Sequence, residues 1–369
     1  MADSEVPVPP DYRGACVTSV VAALLGAVDP PAWMPDEAFA DQTVLLVLDG
    51  LGWDQLQGRT HVAPTLSSLV GGPITTVAPS TTASALTSIT TGLTPGQHGI
   101  VGYRLWVDSE VLNVLRWTTP KGDARKVYRP DVLQPHETFD GQRPAVVTKA
   151  EFIESGFTSA HLAGGRFHGY RMTSSLVTEV VGLVRRGEPF VYAYYDGVDK
   201  VAHEYGFGPY YDAELRAADR LVADLLDYLP RGVSLVVTAD HGQVQTGDAV
   251  VKLHGEVQSH VGAQSGEGRF RWLHARPGRA GALAEACRSF HGDQAWVRTR
   301  QEILAEGWLG PEVSEASFSR LGDVALVAKG VVSFVDPQDG GPFKLIGRHG
   351  SLTSAEMLVP LLAGRSPGA

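Results

Sequence analysis

Three apolar runs in this chain end the same way. Residues 44–48 (VLLVL) stop at Asp49-Gly50, FVYAYY stops at Asp196 with Asp199 just behind, and residues 233–237 lead to Asp240-His241-Gly242. A strand that is apolar on both faces must be covered on both, as a central strand of a parallel sheet is. In an open α/β sheet of that kind ligands bind beyond the carboxyl ends of the strands. The three acidic exits are therefore expected to converge, however far apart they lie in sequence.

The rest of the chain has the texture of the same architecture. Helical spacing marks 174–186 and 210–229, the second with Leu215, Ala218, Val222, Leu225 and Leu229 on one stripe. A helix is expected at 149–155, with short strands at 158–162 and 74–77. Residues 104–117 alternate around Asp108-Ser109 like a two-stranded ribbon. The excursion 104–144 then continues with Arg116, Trp117, Tyr128 and Arg129, which read equally as pocket walls or as aromatic anchors of a solvated loop. From residue 251 to 345 the pattern is that of a smaller inserted α/β lobe, with a strand at 269–274 and helices at 280–290 and 299–306. The chain returns through RHGSLTSAEMLVPLL, where His349-Gly350 precedes a capped helix beginning near 353–356, and the SPGA tail is expected to be disordered.

Composition narrows the function. With 369 residues, 43% of them hydrophobic, the chain can fill one large domain, residues 1–369. Acidic residues outnumber basic ones 41 to 31, a net charge of −10, and no basic run exceeds Arg185-Arg186, so neither a nucleic-acid polymer nor an anionic membrane is an expected partner. Cys16 and Cys287 offer no disulfide framework and suit a reducing, cytoplasmic setting. Residues 15–28 lack the basic flank of a signal peptide and carry Val17, Val20, Val21, Leu24 and Leu25 at helical spacing, which predicts a packed helix ended by Gly26.

Between the first two acidic exits lies a stretch crowded with small hydroxyls, TTVAPSTTASALTSITTG. Ser and Thr are good helix caps, so a capped helix from Thr82 to a stop at Gly92 explains it without any chemistry. A helix start is also an anion site, and a hydroxyl there becomes a nucleophile if a base or a metal activates it. Activators are available: Asp49, Asp199, His203, Asp240, His241 and His349 all fall at element ends. Asp199 and His203, four apart, share one face of a helical turn. Mixed carboxylate and imidazole donors suit zinc or a similar divalent metal. Singly, Asp49-Gly50 reads as a turn, Asp199 as a surface acid and His349 as a cap; together they read as a paired metal site.

As an ordered set, LVLDGLG, PSTTASALTSITTGLTPGQHGIVGY, DKVAHEYGFGP, TADHG and RHG resemble the alkaline phosphatase superfamily, and within it the nucleotide pyrophosphatase/phosphodiesterase branch. The resemblance implies an α/β fold with a mostly parallel central sheet, helices on both faces and a smaller inserted lobe. It implies two divalent ions, zinc by expectation: one held by Asp49, Thr82, Asp240 and His241, the other by Asp199, His203 and His349. Thr82 is then the nucleophile, since its ten-residue distance to Gly92 matches the family's spacing, with Thr81 as the fallback and Asp196 left as structural. The implied activity is hydrolysis of a small phosphate ester through a phosphothreonine, with a phosphodiester as substrate. A phosphomonoesterase or phosphonate hydrolase on the same scaffold is the alternative.

Two positions depart from the branch. Tyr103 stands where diesterases usually keep an Asn for a phosphate oxygen, and a phenol there, with Arg104 beside it, is the candidate substrate contact. Ala83 stands where an aromatic residue often stacks a nucleobase.

Overall fold

The computed structural model describes residues 6–339 and 345–368. Its central sheet is formed by β1 (Thr43–Leu48), β2 (Val70–Thr75), β3 (Ala145–Lys149), β4 (Arg166–Tyr170), β5 (Phe190–Tyr195), β6 (Ser234–Thr238) and β7 (Leu358–Arg365), in the order β2-β7-β6-β1-β5-β3-β4. All pairings from β6 to β4 are parallel, and only β7 runs against its neighbours. Every residue of β1 is buried, so both faces of the sheet are covered there. Burying each of its large apolar side chains stabilises the fold by about 1.5–3 kcal/mol. The striped helix Pro209–Tyr228 buries Leu215, Ala218, Val222 and Leu225 as the spacing predicts.

The acidic exits follow from this topology. β1, β5 and β6 lie side by side and end at one edge, which brings Asp49, Asp196 and Asp240 to that edge. Because β7 is reversed, it starts where the others finish, and the loop carrying His349 reaches the same edge. The hydroxyl-rich helix α1 (Thr82–Thr91) and the helix α2 (Gly197–Tyr205) complete the edge, α1 stopping at Gly92 with φ 72°.

A second sheet of four antiparallel strands, Val261–Gly266, Phe270–Ala275, Val324–Ala328 and Ala295–Thr299, is covered by the helix Ala280–His291. One of its faces has a small core of its own around Leu273, Leu283, Cys287 and Leu326, while Phe270 and Trp272 belong to the main core. The two-residue pairings Val244–Gln245 with Gly347–Arg348 and Val250–Val251 with Ser333–Phe334 tie the segments leading into and out of this lobe. The ribbon Arg104–Val107 and Glu110–Asn113 turns on Asp108 and Ser109, both left-handed (φ 47° and 67°), which is the geometry of a tight two-residue hairpin.

Several local expectations are corrected. Of the helix expected at 149–155 only a 3₁₀ turn, Ala150–Phe152, forms after β3 ends at Lys149, and in place of a strand at 158–162 the segment Gly156–His161 is helical because Ser155 caps it, its Oγ accepting from the Thr158 N–H at 2.9 Å. The strand expected at 74–77 is β2, shifted four residues earlier at its start. The return segment makes one helical turn, Ser354–Met357, before it becomes β7. Pro360 sits inside that strand opposite Pro73 of β2, so two residues without an N–H face each other and neither strands a donor. Ser366 is buried and its Oγ donates to the carbonyls of Leu226 and Leu229, so this part of the tail is ordered; Ala369 lies outside the described residues. Residues 15–28 form a 3₁₀ turn, Val17–Ser19, and a short helix, Val20–Leu24.

Candidate active site

His241 is the centre of the edge. Its Nε2 lies 3.0 Å from Thr82 Oγ1 and 3.5 Å from both Asp49 Oδ1 and Asp240 Oδ2. The His349 ring stacks on it with centroids 3.7 Å apart, and the His203 ring follows at 5.1 Å from His349. Asp199 Oδ1 lies 3.3 Å from His203 Nε2 and 4.0 Å from His349 Nε2. All seven residues expected to hold metal are thus gathered at one edge. Two sets have donor atoms within 4.8 Å of one another: Asp49, Asp240, His241 and Asp199, His241, His349. His241 therefore stands between the two, whereas the resemblance gives it to the first alone.

The loops that carry these groups approach backbone to backbone. A Cβ on Gly242 would stand 2.8 Å from Gly52 Cα, and one on Gly50, whose φ is +74°, would stand 2.9 Å from Asp199 Cα. Glycine at these positions is what lets the exits of β1 and β6 and the start of α2 close on one point.

The donor atoms fit a cation. Each imidazole sets its Nδ1 against a backbone carbonyl: His203 on Gly347 at 2.7 Å, His241 on Gly242 at 3.0 Å and His349 on Ser80 at 3.0 Å. A proton on Nδ1 satisfies those carbonyls, which leaves every Nε2 as a lone pair facing the site. The carboxylates are divided in the same way. Asp49 Oδ2 accepts from Tyr194 OH, and Asp240 Oδ1 accepts the N–H groups of Gly50 and His241 at 3.0 Å each. Asp49 Oδ1 and Asp240 Oδ2 are buried and accept nothing. Buried carboxylate oxygens without donors are costly, and three lone pairs with two such oxygens form a donor set that suits a divalent cation.

Electrostatics carry the same message. Burial, then the charges of Asp240 and Asp199, push the Asp49 carboxyl well above the usual carboxylate range, and the Tyr194 hydrogen bond only partly offsets this. Asp199 is raised chiefly by burial, although His203 and His241 pull it down. Burial and the neighbouring His241 and His203 hold His349 well below the ordinary imidazole range. A bound cation would reverse the upward displacement of the two acids and reinforce the neutral state of His349.

Thr82 is the first residue of α1, with Thr81 as its N-cap, and it opens on a cavity of about 200 Å³. The cavity continues past Leu86, Leu115, Phe152 and Phe157 to Asp196 and Lys200. Tyr103 and Arg104 do not line it. Tyr103 OH donates to Asp339 Oδ1, and the buried Arg104 pairs with Asp336, which commits both side chains to the inserted lobe. Of the four residues read as pocket walls, Trp117 is core: it is fully buried, and a Cβ on Gly156 would stand 2.2 Å from its ring. Tyr128 and Arg129 line a separate groove of about 630 Å³, and Arg116 is exposed.

Sequence reasoning missed Tyr194 and Gln243, the side chains that orient the carboxylates; Gln243 Nε2 donates to Asp199 Oδ1 at 2.7 Å. Tyr194 lies two residues before Asp196, on the strand face shared with Tyr192, and Gln243 directly follows Asp240-His241-Gly242. For Gln243, adjacency to a suspected ligand was the available signal; for Tyr194 it was its place at the end of a strand with an acidic exit.

Comparison with known proteins agrees with this geometry. No curated protein sequence matches the chain significantly. Among solved structures, murine ectonucleotide pyrophosphatase/phosphodiesterase 5 superposes with a TM-score of 0.65 at 16% identity, covering 88% of this chain and 90% of that one. The human protein gives 0.64, 16%, 89% and 90%. An inactive threonine-to-alanine variant of the murine protein, in complex with AMP, gives the same four values. At such identity these likenesses speak for the fold. The family profile described as type I phosphodiesterase / nucleotide pyrophosphatase matches residues 43–352, from the first residue of β1 to just past His349. The chain therefore belongs to the type I phosphodiesterase/nucleotide pyrophosphatase family of the alkaline phosphatase superfamily and is a phosphoric ester hydrolase.

Proposed function

We propose that this protein hydrolyses phosphodiesters through a phosphothreonine formed on Thr82, at a site holding two divalent cations. The observation that carries the reading is the placement of Thr82 Oγ1, at the start of α1 and 3.0 Å from His241 Nε2, beside two carboxylate oxygens that accept nothing. Asp49, Thr82, Asp240 and His241 would hold one cation, and Asp199, His203 and His349 the other. Mixed oxygen and imidazole donors favour zinc. When bound, the cations supply Lewis acidity that lowers the pKa of a coordinated hydroxyl and neutralises phosphoryl charge.

The chain's own groups do the rest. Thr82 Oγ1 gives its proton to solvent and bonds to phosphorus while the bond from phosphorus to the leaving oxygen breaks; the departing alkoxide takes a proton from solvent. Water then attacks the phosphothreonine, the bond to Oγ1 breaks, Thr82 regains a proton and a phosphate monoester leaves. The free N–H groups at the start of α1 stabilise the phosphoryl oxygens in both steps. The murine relative supports the role of a threonine hydroxyl, since its threonine-to-alanine variant is described as inactive and holds AMP. A diester is favoured over a monoester because the cavity runs on from Thr82 between apolar walls, with room for a second ester group.

A cytoplasmic setting is proposed on cysteine usage alone, since Cys16 and Cys287 are buried and free. The test of the reaction is to add zinc to purified protein and compare bis(4-nitrophenyl) phosphate with 4-nitrophenyl phosphate, for wild type and Thr82→Ala. The diester is expected to be cleaved faster, by wild type only. A Thr82→Ala protein as active as wild type, or a wild type that cleaves neither ester, removes the proposed mechanism.

A further inference from the structure

We propose that Lys149 and Lys200 make the catalytic cavity selective for phosphodiesters whose cavity-held ester group bears a negative charge of its own on an apolar body, an inference that rests on the phosphodiesterase reading above. Asp196 is only 4% exposed and lies between two ammonium groups. Lys149 Nζ stands 2.7 Å from its Oδ1 and Lys200 Nζ stands 2.7 Å from its Oδ2. One carboxylate needs one cation, so the second leaves a net positive charge at the cavity wall. Asp49 and Asp199 also line the cavity, but they are committed to the cations of the proposed site. Glu151 is close enough to act on Lys200, yet it is exposed, screened by water and absent from the lining.

Lys200 is the accessible partner. Its side chain is 54% exposed against 22% for Lys149, and it shares the cavity lining with Thr82. An ammonium has three donors, and Asp196 occupies one, so Lys200 keeps donors for a ligand. Leu86, Leu115, Phe152 and Phe157 give the same cavity apolar and aromatic walls, where a charge pair is stronger than on an open surface. An aryl or similar apolar group ending in a carboxylate or a further phosphate matches both features.

The test is calorimetric binding of phenylphosphonate and 4-carboxyphenylphosphonate to the zinc-loaded protein. Wild type is expected to bind the carboxylated ligand about tenfold more tightly at low salt, with the ratio shrinking as ionic strength rises. Lys200→Gln is expected to bring the ratio within about twofold, and Lys200→Glu to reverse it; a melting curve confirms that each variant is folded. Equal affinities in wild type, no binding of either ligand, or a ratio that Lys200→Glu leaves unchanged overturns the inference. Turnover of 4-nitrophenyl phenyl phosphate and its 4-carboxyphenyl analogue separates the two readings. Charge-selective binding with no cleavage of either diester removes the phosphodiesterase reading and leaves the anion recognition standing. Cleavage of both, without preference in binding or rate, removes the anion recognition alone.

Discussion

Two clusters of buried charge meet where the inserted lobe touches the central sheet, and they are built on opposite logics. At the sheet edge the atoms without partners are acceptors: Asp49 Oδ1 and Asp240 Oδ2, with three imidazole nitrogens freed by carbonyls behind them. A few residues away, charges of both signs close on one another. Arg269 donates to both oxygens of Glu356 at 2.7 and 2.8 Å with neither side chain exposed, while Arg104 meets Asp336 and Tyr103 meets Asp339. These pairs of the second cluster are matched in sign and hold the lobe against the His349 loop, although Arg271 Nε and Nη1 and both Glu267 oxygens beside them have no hydrogen-bond partner among the described residues. The first is complete only with something added. Charge density does not distinguish a working site from a structural one here; imbalance of sign does.

The sharpest way to break this comparison is Thr82→Ala. If the sheet-edge cluster is the reactive one, kcat falls by about 10⁴-fold or more, while circular dichroism and melting stay near wild type. The complementary substitution, Glu356→Gln, should leave the chemistry in place and weaken the fold, because Arg269 is then buried without its counter-charge. A loss of about 3–5 kcal/mol in denaturant unfolding is expected, and a value near zero would show that the second cluster is not structural.

Smaller effects sharpen the picture. Tyr194→Phe removes the hydroxyl that fixes Asp49 Oδ2, so zinc affinity measured by competition should fall by about 10–100-fold, and the metal-free protein should lose about 1–3 kcal/mol for the acceptor left unpaired. The last test concerns Glu267, a buried carboxyl of the lobe turn that burial raises to about 8. A raised acid contributes stability that is fully present below its unfolded value of 4.5 and is lost as pH climbs through about 8. Wild type should therefore lose melting temperature relative to Glu267→Gln between those limits, and parallel curves would refute the assignment.

Much of the site was legible because it depends on where strands stop. An apolar run followed by Asp49, by Asp196 and Asp199, or by Asp240-His241 is a local pattern, and sheet topology converts it into proximity without side-chain detail. The spacing from Thr82 to Gly92 likewise marks both ends of one helix. What escaped depends on partners remote in sequence. Tyr103 and Arg104 look like substrate contacts until Asp336 and Asp339 arrive more than two hundred residues later and claim them. The two lysines around Asp196 share no motif, since Lys149 ends a strand that was not anticipated. β7 was hidden by Pro360, which argues against a central strand until the opposing proline is known.

The reversed strand has a further consequence for how the molecule comes into being. β7 is the last strand of the sheet to be synthesised, yet it lies between β2 and β6 and joins them like the final slat of a blind. Until it leaves the ribosome, β2 has no neighbour in the sheet and the segment bearing His349 has no seat at the edge. A nascent chain stalled before β7 would bring Asp49, Asp240 and His241 to the paired ends of β1 and β6 while the His349 segment still lacked the strand that follows it. A nonsense change upstream of β7 would thus split the sheet along an interior seam instead of trimming its margin.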